Sequence, residues 1–174
     1  ASRGAEVVLV TTTNLPGPDG ALVVPVQTAA EMADAVAVHA PLVDVVVMAA
    51  AVADFRPVVA ADRKIKKHAD GVPEIVLEPT PDILAKLGAN RAVGQTLVGF
   101  AAETNDVRVN AAAKLTRKGV DLMVANDVSA PGVGFEHDTN EVVILSASGQ
   151  EVQVPRRDKR AVAAAVIDAV MVER

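Results

Sequence analysis

The chain has 174 residues, 51% of them hydrophobic, with a formal net charge of −5 and no cysteine, and fits one compact domain over 1–174 with a sizeable core. The acidic balance argues against nucleic-acid binding, and the lack of thiols excludes disulfides and thiolate metal sites and fits a cytoplasmic location. No apolar run reaches the roughly 18 residues needed to cross a bilayer, so no membrane span or membrane partner is expected.

Residues 1–6 read as the tail of a helix capped by Gly4, so the chain is expected to begin inside a βα unit, with its first strand, loop and most of a helix absent. A strand is expected at 6–12, a Pro- and Gly-rich loop at 14–20 and a short strand at 21–26. Thr28 with Glu31 three residues later has the capping-box pattern of a helix start, and Pro41 ends that helix. Residues 45–50 then run apolar without a break, as a strand buried on both faces of a sheet does. Small residues, Ala49, Ala50 and Ala51, close the run and let a ligand approach the backbone at a carboxyl strand end. Asp54 stands at the mouth of such a site, where a carboxylate holds a cation or a ribose hydroxyl.

Residues 58–70 are polar and basic, with Arg63, Lys64, Lys66 and Lys67 clustered against the acidic background. A flap that closes over a small anion and a solvated surface loop both fit this stretch. A short strand is expected at 74–77. Thr80 and Pro81 read as the N-cap and first position of a helix whose positive end can face a phosphate. Residues 96–100 form a second buried strand, running into Gly99-Phe100-Ala101-Ala102-Glu103-Thr104. A helix over 106–118 places Lys114 and Lys118 one turn apart on one face. A strand at 122–125 ends in Asn126-Asp127, and a Gly-rich turn follows at 132–138. A hairpin of 140–146 with 151–155 turns about Gly149, and a helix over 158–172 closes the chain. Phe55, Phe100 and Phe135 are the only aromatics, and either a shared pocket or ordinary packing accounts for them. The strand–helix alternation gives an α/β fold: a Rossmann-like, mostly parallel sheet flanked by helices, with an appended antiparallel hairpin.

GxGxxG, Walker A and GxSxG motifs are absent, and the three histidines show no metal-ligand spacing. What remains is a set of strand-end loops and lysines whose common chemistry is phosphate neutralisation. The run Ala49-Ala50-Ala51-Val52-Ala53-Asp54-Phe55-Arg56-Pro57 is joined by Lys64-Ile65-Lys66-Lys67 and Pro81-Asp82-Ile83-Leu84. The Gly99 to Thr104 run, Lys114 with Lys118, and Ala125-Asn126-Asp127 complete the set. In the order and spacing of these motifs the chain closely resembles the CTP-dependent phosphopantothenate–cysteine ligases of bacterial coenzyme A synthesis. That family is usually fused behind a flavin-dependent decarboxylase, to which FMN belongs.

The resemblance implies ligation of 4′-phosphopantothenate to L-cysteine through an acyl-cytidylate, with CTP cleaved to CMP and pyrophosphate and Mg²⁺ required. It implies CTP contacts at Met48, Ala49, Ala50, Asp54, Lys64, Pro81, Asp82, Ile83, Leu84, Phe100, Lys114 and Lys118. Lys64 would aid acyl-cytidylate formation, Ala51 would line the intermediate's pocket, and Asp54 is the candidate metal contact. A homodimer is implied as well, with the 151–155 hairpin as one contact. Two departures stand out. Phe55 occupies a position where many relatives carry Tyr, and the family's preceding strand and Gly/Ser-rich loop are not in the sequence. If the molecule lacks that segment, CTP binding persists while amide formation fails. The alternatives are therefore a CTP-binding module without complete catalysis and, disfavoured by the missing glycine fingerprint, a Rossmann-type NAD-dependent oxidoreductase.

Overall fold

The computed structural model describes residues 1–61, 63–65, 74–129 and 137–174. By its internal contacts the chain divides into two units, Ala1–Val36 with Ala51–Asp82, and Ala37–Ala50 with Ile83–Arg174.

In the first unit, β1 (Val8–Thr11) pairs in parallel with β2 (Leu22–Pro25). Helix α1 (Ala29–His39) begins in this unit and opens on the expected capping box. Glu31 N–H donates to Thr28 Oγ1 at 3.1 Å, while Glu31 Oε2 accepts the amides of Gln27 at 2.7 Å and Thr28 at 3.1 Å. Those bonds, the Gln27 amide first, favour the charged carboxylate and hold the Glu31 pKa below its ordinary value. Residues 1–6 form a turn rather than a helix tail. Gly4 takes φ 84 and donates its N–H to Ala1 O at 2.8 Å, a left-handed conformation that glycine adopts without a Cβ clash. Strands β4 (Phe55–Pro57) and β5 (Leu77–Pro79) form a short antiparallel pair, across which Arg56 Nε lies 2.7 Å from Glu78 Oε1. The expected strand at 74–77 thus begins only at Leu77, and its partner went unread because three residues leave no periodicity.

In the second unit a 3₁₀ turn, Ala40–Leu42, carries Pro41 and leads into β3 (Val45–Met48). Then come α2 (Ile83–Asn90), β6 (Thr96–Glu103), α3 (Val107–Lys118), β7 (Leu122–Asp127), β8 (Thr139–Ser146), β9 (Glu151–Asp158) and α4 (Lys159–Glu173). The five strands form one sheet in the order β3-β6-β7-β8-β9. β3, β6 and β7 are parallel, and the β8–β9 hairpin continues the sheet antiparallel. Val98, Val124, Ile144 and Val154 pack against Val162, Val166 and Val170 of α4, whose spacing of four keeps one helix face on the sheet. Each such valine contributes about 1.5–3 kcal/mol when fully buried. On the other face α3 buries Ala111, and α2 comes so close to the end of α3 that a Cβ on Gly88 would overlap the Lys118 carbonyl. Gly119, at φ 62, ends α3, and Asp158 caps α4 by accepting the Ala161 amide at 2.9 Å.

The architecture is the expected α/β one, with three local corrections. The uninterrupted run at 45–50 is not a doubly buried strand. Among the described residues β3 pairs only with β6 and Val47 is 42% exposed, so β3 is an edge. The most buried strands among the described residues are β6 and β7, which lie inside the sheet with burial running through consecutive residues of each. Helix α2 starts at Ile83 rather than at Thr80, because Thr80 is engaged elsewhere: its hydroxyl donates to Ala53 O and its N–H to Asp54 O at 2.9 Å. Strand β7 runs on through Asn126-Asp127, and β9 through Asp158. Most of the expected Gly-rich turn at 132–138, with Phe135, and part of the expected flap, with Lys66 and Lys67, lie outside the described residues.

Candidate functional site

The residues singled out from the sequence fall in both units. In the second unit the carboxyl ends of β3, β6 and β7 share one edge of the sheet. Met48 lies opposite Gly99 in register, and a Cβ on Gly99 would come within 2.7 Å of Leu84 Cδ2 and 2.9 Å of Met123 Cε. Glycine at 99 therefore lets α2 seat Leu84 against β6, which brings Met48, Gly99 and Leu84 together. Ala49 and Ala50 leave the strand as exposed small residues, and Ile83 is buried at the start of α2. Phe100 alternates to the α4 face of the sheet and stays 37% exposed.

Glu103, the last residue of β6, points to the α3 face. Its Oε1 is buried and lies 2.6 Å from Lys114 Nζ, a contact of opposite charges without an aligned hydrogen bond. Its Oε2 accepts from Asn110 Nδ2 at 3.2 Å, and the same amide group donates to Asn105 O at 2.9 Å. Sequence reasoning quoted Glu103 within a motif but gave it no role. The signal available was an acid at a strand end followed by a lysine two turns into the next helix. Lys118 lies one turn further along α3, its backbone carbonyl beside Gly88. Below the same edge, a shallow cavity of about 210 Å³ is lined by Val107, Arg108, Ala125, Asp127, Glu141 and Gln153 together with Val142 and Val143. Of the motifs singled out from the sequence, only Ala125-Asn126-Asp127 contributes to it, through Ala125 and Asp127; none of the implied CTP contacts lines it.

In the first unit Ala51, Asp54 and Lys64 are exposed, and Thr80 braces the Ala53–Asp54 backbone just ahead of Pro81 and Asp82. Phe55 is exposed on β4, so Phe55 and Phe100 fall in different units. Among the described residues no three His, Cys, Asp or Glu side chains gather as a metal cage. One exposed carboxylate, Asp54, nevertheless suits Mg²⁺, which keeps several waters and usually enters on phosphates with one or two protein carboxylates. Among the described residues no helix is long and apolar enough to cross a membrane.

Residues 1–172 match the profile of the DNA/pantothenate metabolism flavoprotein C-terminal domain. The coenzyme A biosynthesis bifunctional protein CoaBC of Mycobacterium bovis is 46% identical over 98% of this chain and 43% of its own length. CoaBC of Bacillus subtilis is 45% identical over 90% of the chain and 38% of its own length. The chain thus spans less than half of these relatives. Among solved structures, the C-terminal domain of a coenzyme A biosynthesis bifunctional protein CoaBC superposes with a TM-score of 0.80 at 35% identity, covering 99% of this chain and 77% of that one.

Proposed function

Because the chain belongs to the DNA/pantothenate metabolism flavoprotein C-terminal domain family, we propose that it is the ligase part of a CoaBC-type protein. It joins 4′-phosphopantothenate to L-cysteine at the expense of CTP. The observation that carries this reading is the 46% identity to a coenzyme A biosynthesis protein across 98% of the chain.

In the first half-reaction the 4′-phosphopantothenate carboxylate attacks the α-phosphorus of CTP. An acyl–phosphate bond forms and pyrophosphate leaves. In the second, the cysteine amine attacks the acyl carbon, the amide bond forms, CMP leaves with the bonding pair, and the amine loses a proton. Mg²⁺ entering on the triphosphate, with Asp54 as the carboxylate that would hold it, would neutralise oxygen charge and make pyrophosphate a better leaving group. The exposed ammonium of Lys64 supplies a cation for charge that grows on the α-phosphate. Asp54 offers its carboxylate to the cation or to a ribose hydroxyl. The small residues Ala49, Ala50 and Ala51, following Met48, admit nucleotide and intermediate close to the backbone, while Phe100 offers an apolar face. Pro81 to Leu84 lead into α2, and Lys114 and Lys118 line one side of α3 for the phosphates.

The same reading includes a cytoplasmic homodimer fused to a flavin-dependent decarboxylase. Exposed apolar residues around the β4–β5 pair, Phe55, Val58, Ile75, Val76 and Leu77, offer more surface for self-association than the 151–155 hairpin, where Val152 stands out. Calorimetric titration of this chain, beside the full-length protein, with Mg-CTP and Mg-ATP tests the nucleotide assignment. CTP should bind at least tenfold more tightly; equal or tighter ATP binding contradicts it.

A further inference from the structure

Resting on the nucleotide reading above, we propose that Glu103 is the positioning residue for Lys114, fixing where that ammonium meets the ligand's phosphates. Glu103 sits on a rigid support. It belongs to the interior strand β6, its C=O accepts the Val128 amide at 2.9 Å, and it stands in register with Asp127 of β7. Its side chain is only 11% exposed, against 35% for Lys114, so the carboxylate lies behind the ammonium as seen from solvent. Asn110, one turn before Lys114 on α3, holds Oε2 at 3.2 Å and is itself anchored to Asn105 O, which stops the carboxylate from rotating away. The geometry leaves Oε1 for Lys114 at 2.6 Å.

A lysine on a four-carbon stem has many rotamers, and ordering it at the moment of binding weakens the complex. Glu103 does that ordering beforehand. An ammonium has three donors; a carboxylate on its buried side leaves the others for a ligand on its open side. The paired charge has a second consequence. A bare lysine attracts any polyanion, whereas a neutralised pair contributes through direction and discriminates by fit.

The test is a double-mutant cycle in the full-length protein, read by calorimetric CTP affinity and by the KM and kcat of pyrophosphate release. Glu103→Gln should weaken CTP about tenfold, within the coupling expected of contacting residues, and leave kcat within about twofold. Lys114→Met should weaken CTP at least as much. Adding Glu103→Gln to Lys114→Met should change CTP affinity no further, because the residue it positions is gone. Equal weakening by Glu103→Gln in both backgrounds marks a structural carboxylate and overturns the proposal, as does an unchanged or tighter affinity in the single variant. If Glu103→Gln does not fold, Glu103→Asp, which draws the charge back by one methylene, is read in the same cycle and should show a smaller loss confined to the Lys114 background. Wild-type protein that binds no CTP overturns the nucleotide reading and this proposal with it. Wild-type binding without coupling overturns this proposal alone.

Discussion

Lys64 was singled out from a short basic cluster, and it is exposed in the first unit. Its catalytic assignment rests on where negative charge develops. As a carboxylate attacks the α-phosphate, charge grows there in the transition state, so a cation aimed at that point lowers the barrier more than it strengthens ground-state binding. Removing one such contact typically costs about 2.7–4 kcal/mol, roughly 10²–10³ in rate. Lys64→Gln in the full-length protein should therefore slow single-turnover pyrophosphate release on that scale at saturating CTP while CTP affinity falls much less. A wild-type rate there would make Lys64 a solvated charge. The Lys114–Glu103 pair shows the limit of reading residues singly. The helix spacing of Lys114 and Lys118 was legible from the order of residues, but the partner of Lys114 comes from another element, and pairings across elements leave no local pattern.

Among the elements, those with a strong local signature were placed within a residue or two: the capping box of α1, the first hairpin strand β8, and α4 behind Asp158. Errors arose where tertiary bonding outweighed local preference, as when Thr80 bonds back to Ala53 and Asp54 instead of capping α2. Two predictions belong here. Because the Glu31 pKa is lowered in the folded state, its contribution is fully present above the ordinary glutamate range. It fades as pH falls from that range through the lowered value, since protonation removes the acceptor for the Gln27 and Thr28 amides. Glu31→Gln, which removes the charge those amides favour, should lower stability at neutral pH, and urea unfolding of wild type and variant should converge at acid pH. The second concerns Gly88. Alanine ordinarily stabilises a helix interior by about 0.5–1 kcal/mol relative to glycine. Here the added Cβ meets the Lys118 backbone carbonyl, which cannot rotate aside, and overpacking of that kind costs about 1–3 kcal/mol. The clash wins, so Gly88→Ala should lower the melting temperature by several degrees. Gly99→Ala meets only the ends of Leu84 and Met123 and should lower it less.

For the molecule as a whole, the order of strands and helices was legible because buried β-branched runs alternate with amphipathic stretches. The position of β3 at a sheet edge was not, because a valine run reads the same whether one or both of its edges are paired. Dimerisation is tested by light scattering of the full-length protein at high micromolar concentration with nucleotide present, where a mass of two chains is expected and a monomer mass contradicts it. The central claim is the reaction itself. Its most direct test is pyrophosphate release by the full-length protein with Mg-CTP or Mg-ATP, with and without 4′-phosphopantothenate and L-cysteine, the products identified by mass. Release should require both CTP and 4′-phosphopantothenate, run at least tenfold slower with ATP, and yield the cysteine amide once L-cysteine is added. Release that ignores 4′-phosphopantothenate, or that proceeds equally with ATP, would contradict the assignment.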